Sequence, residues 1–134
     1  MLKKVVKTIS ISILFSTFLF GKMSIFISNN QKLTKVGRKE VANLFLRKTD
    51  NIRGIKLIPI DNRNKKIFNL FYKKVVKKTP SQLHSYWVKQ IFKGNKQPPK
   101  KRSSKEIKRL MSKNSKYISY STHPTTGHII LTFP

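Results

Sequence analysis

The side chains of this chain best suited to chemistry are the hydroxyls and amides of three short polar loops, Ser28-Asn29-Asn30, Asn62-Arg63-Asn64 and Ser121-Thr122. Each follows an apolar run that reads as a strand. Hydroxyl and amide donors beside one guanidinium fork suit a small oxyanion, which Arg63 can hold by two parallel hydrogen bonds. In open α/β sheets ligands gather beyond the carboxyl ends of strands, where helix N-termini direct N–H groups and a positive dipole end outward. These eight residues are therefore the candidate oxyanion-binding set. Capping and turn formation is the competing role of the same residue types.

Other chemistries find little material. The four acids, Glu40, Asp50, Asp61 and Glu106, are scattered, with no pair that can be placed on one face. No serine stands in a nucleophile-elbow pattern. Asp61 ends a strand, and a cap or loop hydrogen bond is its expected role. His123 and His128 lie five apart across a Pro/Gly turn, which is no standard ligand spacing, and His84 falls on a helix surface. The chain has no cysteine, which excludes a disulfide framework and a thiolate metal site. The expectation is a binding protein that is not an enzyme, with no metal and no cofactor.

The elements that must position the loops are legible from periodicity and caps. Thr79 to Phe92 carries the clearest helix signals: Thr79 as N-cap, Pro80 at the first helical position, and Gln82 placed to reach back to the cap. Leu83, Trp87 and Ile91 recur every four residues as one apolar stripe, with Tyr86 and Phe92 flanking it, and Gly94 with Pro98-Pro99 ends the helix. Trp87 is expected as a core anchor rather than a platform for bases. Met23 to Ser28 reads as a buried strand, Val36 to Leu46 as a helix, and Lys48 to Gly54 as turns. Ile55 to Ile60 reads as a second strand, with Pro59 pointing to an edge or a strand end. Asp61 to Asn64 makes a loop, followed by a helix with Ile67, Phe68, Phe71 and Val75 on its apolar face. Lys100-Lys101-Arg102 reads as a basic turn, Ser103 with Glu106 as a capping box, and Ile107, Leu110 and Met111 as a short amphipathic helix. Lys116 to Ser121 and Ile129 to Phe133 are the last two strands. Strands alternating with helices give an α/β class.

Charge is the most unusual property. Thirty lysines and arginines oppose four acids over 134 residues, a net +26. Such a balance attracts nucleic acid, acidic lipid headgroups and small oxyanions alike, and equally suits a plain solvated lysine surface. Nucleic acid is the weakest of these partners, because no base-reading motif accompanies the charge. Residues 1–21 read as a secretory signal, with Lys3, Lys4 and Lys7 before an uncharged apolar run from Ile9 to Phe20 and Gly21 as a small residue for cleavage. The run is short against the ~20 apolar residues of a membrane span, and Leu19 is large for a cleavage site, so an uncleaved anchor is the alternative.

Several phrases together resemble the phosphate-binding proteins of ABC transporters and their shorter phosphate-binding-like relatives. Ala42 to Lys48, ANLFLRK, is similar to that family's "IFxGK" helix and turn, with Arg47 where glycine is usual. Ile55 to Asp61 resembles the strand that follows it. Tyr86-Trp87 through Ile91-Phe92-Lys93-Gly94 to Gln97-Pro98-Pro99 is similar to a segment of the short relatives, and Tyr117 to Tyr120 to their "IGY" strand. The resemblance implies a type 2 periplasmic-binding α/β fold and binding rather than catalysis. Asn62-Arg63-Asn64-Lys65 stands where full-length relatives carry an arginine and a Ser-Gly-Thr turn, which thins the nest of donors. Residues 22–134 match the size of one lobe. The expected molecule is a single lobe of about four strands with four helices packed on the sheet, exported to the periplasm after a signal over residues 1–21. It would bind phosphate or another small oxyanion, with an ABC transporter membrane component as partner. The alternative is a basic exported protein that docks on anionic polymers or a membrane surface.

Overall fold

The computed structural model describes residues 22–124 and 126–134; the signal expected over residues 1–21 lies outside them. Strand β1 (Met23–Ile27) leads through a loop to α1 (Arg38–Phe45), and a small hairpin of β2 (Asn51–Ile52) and β3 (Ile55–Lys56) follows. Strand β4 (Ile58–Asn62), helix α2 (Lys65–Phe71), a π turn (Tyr72–Val76) and helix α3 (Pro80–Phe92) come next. Strand β5 (Lys100–Arg102), helix α4 (Ser104–Lys113), β6 (Tyr117–Ser121) and β7 (His128–Phe133) complete the chain.

The main sheet has five strands in the order β5-β4-β6-β1-β7. β5 and β6 flank β4 in parallel, whereas β1 is antiparallel to both β6 and β7. The expected four strands become five plus a hairpin for two local reasons. The run Ile55–Asn62 breaks at Leu57, whose N–H goes to Asp50 O (3.1 Å), so its first half pairs in the hairpin and only its second half joins the sheet. Lys100–Arg102, expected as a turn, is strand β5, aligned with Ile60–Asn62. Asp61 and Asn62 are accordingly strand, not loop. Pro59 sits below the stretch that β5 pairs, where β4 has a neighbour on the β6 side alone, and its missing N–H forfeits no ladder bond there.

Two unequal cores cover the two faces of the sheet. On one, Met23, Ile25, Ile27, Ile118 and Tyr120 meet α1, the α2–π segment and α3 through Val41, Phe45, Phe71, Val75, Leu83 and Trp87. On the other, Phe26, Ile60, Ile107 and Met111 pack α4 against the sheet. Helix α3 is capped as its sequence dictates, with Thr79 Oγ1 accepting from the Gln82 N–H (3.2 Å) and Gln82 Oε1 from the Thr79 N–H (3.0 Å). Its buried stripe stops one turn early. Leu83 and Trp87 are buried, each contributing about 1.5–3 kcal/mol, but Ile91 and Phe92 are exposed.

Consecutive residues Phe71-Tyr72 and Val75-Val76 are all buried. The wider π turn brings both members of each pair toward the sheet, and Lys77 in a left-handed conformation (φ 62°) ends it.

Candidate functional site

β4 ends on Asp61 and Asn62, which point to opposite faces because strand side chains alternate. Asp61 turns into the larger core, where its carboxylate accepts from the Tyr72 hydroxyl (2.9 and 3.0 Å to the two oxygens) and the Tyr120 hydroxyl (2.9 Å). The Tyr120 ring stacks flat on Phe71 at 3.7 Å, which fixes that hydroxyl. Burial pushes the Asp61 carboxyl up to about 7, against the opposing pull of its bonds from Tyr120 and Tyr72. Burial, and then the Asp61 charge, raises both tyrosines well above their usual range. The Tyr120 oxygen also accepts the Asn62 N–H (3.2 Å), so the buried network ends at the backbone of the site.

Asn62 turns to the α4 face. Its amide donates to Ser104 Oγ (3.1 Å) and its carbonyl accepts the Asn64 N–H (2.9 Å). Asn64 in turn caps α2, taking the N–H groups of Lys66 and Ile67 (3.0 and 3.2 Å). The parallel ladder extends one step further, with the Arg63 N–H on Arg102 O (2.8 Å). The Arg63 and Arg102 guanidinium groups both lie 3.6 Å from the Glu106 carboxylate. Those pairs are long and part-exposed, so they bind the arginines only weakly. Ser103 caps α4 through the Glu106 N–H (3.2 Å).

From β4 the chain crosses to β5 by the α2–α3 face and returns to β6 by the α4 face. The carboxyl ends of β4 and β6 are therefore a topological switch point, the usual place for a ligand in an open α/β sheet. A cavity of about 20 Å³ opens there, lined by Asn62, Ser104, Tyr120, Ser121 and His123 among others. It has room for roughly one water. Ser121 Oγ accepts the His123 N–H (3.2 Å), and Thr122 Oγ1 lies 3.2 Å from His123 Nδ1.

The eight residues expected in one site fall at two ends of the sheet. Asn62, Arg63, Asn64, Ser121 and Thr122 share one end. Ser28, Asn29 and Asn30 lie at the other, because β1 runs antiparallel to β6 and its carboxyl end meets the amino end of that strand. There Ser28 forms a turn, its carbonyl accepting the Gln31 N–H at 3.1 Å. Arg102, Ser104, Glu106 and His123 join the site without having been singled out for it. The Ser103 to Glu106 capping pattern placed a helix N-terminus in the sequence, but nothing local announced that β5 would set Arg102 beside Arg63.

Two larger cavities lie elsewhere. One of about 550 Å³ is lined by Arg47, Tyr86, Trp87 and Asn95, and one of about 490 Å³ by Arg47, Ile58, Pro99, Lys100 and Tyr117. Arg47 has φ 59°, the left-handed region that favours glycine.

No protein-family model matches the chain, and no curated protein matches it. Among solved structures it is similar to the crystal structure of an ABC-type phosphate transport receptor from Vibrio cholerae, with a TM-score of 0.57 and 9% sequence identity. The likeness covers 82% of this chain and 45% of the receptor, so the chain spans less than half of the receptor's length. At that identity the likeness is one of architecture, and what it establishes is a mixed α/β, periplasmic-binding-like fold of single-lobe size.

Proposed function

We propose that the chain is an exported, non-enzymatic solute-binding-like protein that holds phosphate or another small oxyanion, as part of or accessory to an ABC uptake system. One observation carries this reading: Arg63 and Arg102 stand with the N-terminus of α4 at the carboxyl ends of three parallel strands. The first-turn N–H groups of Ser104 and Lys105, which Ser103 leaves uncapped, point the same way and favour an anion. The fold shared with a phosphate transport receptor supports the same class of ligand. The cavity at the switch point is too small for a tetrahedral oxyanion, so the ligand lies outward of Asn62, between the two guanidinium groups, where it competes with Glu106.

Calorimetric titration tests the reading. Phosphate should give a saturable heat that chloride at equal ionic strength does not, and Arg63→Ala should abolish it. Absence of heat from the parent chain at millimolar phosphate refutes the proposal.

A further inference from the structure

The end of α3 is built differently from the rest of the surface. Val88, Ile91 and Phe92, spaced i, i+3, i+4, form one outward face, and Phe92 is 93% exposed. Their three side chains are large and apolar, yet among the described residues no core cluster takes them. Along the chain their charged neighbours are all basic: from Pro80 to Pro99 there are Lys89, Lys93 and Lys96, and no acid. α3 runs down the sheet to begin β5, whose far end carries Arg102, so this tip lies away from the oxyanion site.

We propose that this tip docks on an anionic lipid bilayer, with Ile91 and Phe92 entering the acyl boundary and the surrounding lysines resting among acidic headgroups. An apolar tip flanked along the chain by lysines has the chemistry of an interfacial membrane contact, in which hydrophobic insertion and attraction to anionic lipid add. Three side chains at a helix end fall well short of the ~800 Å² that each partner of a standard protein interface buries. A second copy is disfavoured by the net charge of +26 that each chain brings to the contact. A nucleic acid would meet the lysines but offers no apolar interior to the aliphatic side chains of Val88 and Ile91.

Because the chain has no cysteine, a single one can be introduced and labelled at will. The full chain carrying Phe92→Cys with an environment-sensitive nitrobenzoxadiazole dye is mixed with phosphatidylcholine vesicles, with and without phosphatidylglycerol. Fluorescence should rise and shift to the blue with phosphatidylglycerol only, reverse with added salt, and stay unchanged for a dye at His84→Cys, two turns up the same face. The dye reports immersion of its own side chain, whatever residues 1–21 contribute to attachment. Ile91→Ser in the same background should weaken the response about tenfold or more, as expected for losing the burial of one large aliphatic group. The proposal is overturned by an unchanged signal at position 92, by an equal change at position 84, by an equal response to double-stranded DNA without lipid, or by a response to raised protein concentration alone.

Discussion

Asp61 shows how far one residue's surroundings can depart from its sequence context. It occupies a loop-like string, Asp-Asn-Arg-Asn, yet it is 2% exposed and held by two tyrosines. With its carboxyl raised from 3.8 to about 7, the native state binds more protons than the unfolded chain between those values. Its contribution to stability is therefore complete below the unfolded value and is lost as the pH rises through about 7. Urea unfolding midpoints should fall across that window in the parent, and Asp61→Asn, which cannot ionise, should flatten the slope. A parent midpoint that rises over the same window would contradict the buried, proton-retaining carboxyl. Because Tyr120 links Asp61 to the Asn62 N–H, the same titration reaches the backbone beside the proposed oxyanion site.

At the scale of elements, most of what the sequence promised comes from local rules. The cap and first-turn signals of α3 hold to the residue, and Thr79→Ala should cost about 1 kcal/mol in a denaturant titration, the usual loss for a capping threonine. The helix over Ser104–Lys113 begins where Ser103 and Glu106 placed it. What local rules left out are features decided by distant partners. Ile91 has the period of a core residue, but the core ends before it, and nothing within α3 marks where its cover stops. Lys100–Arg102 lacks every strand propensity and becomes β5 because a parallel neighbour supplies its ladder. Ser28, Asn29 and Asn30 lie at the opposite end of the sheet from the other five for the same reason. Strand direction is a property of pairing, and periodicity along one run does not contain it.

At the scale of the molecule, β1 lies between β6 and β7, which run parallel to each other on either side of it. The chain therefore passes from the Ser24 end of β1 to its Ile27 end between Ser121 and His128. Gly127 precedes β7 at φ 80°, and a Cβ there would clash with the Ile27 carbonyl oxygen. No rotation relieves that clash, since the Cβ position is fixed by its own backbone and the oxygen is the Ile27 carbonyl. Gly127→Ala should lower stability by more than the ~1–2 kcal/mol that a left-handed alanine alone costs, read as a drop in thermal midpoint. A midpoint equal to the parent's would show that the crossing is looser than its geometry.

The same arrangement sets an order of events. The strand that leaves first in the described chain is seated only between the two that leave last, so the sheet stays incomplete until synthesis reaches His128 and beyond. Contacts of such sequence separation form late and slowly. Until β6 and β7 are made β1 has neither of its neighbours, so the sheet closes with β7.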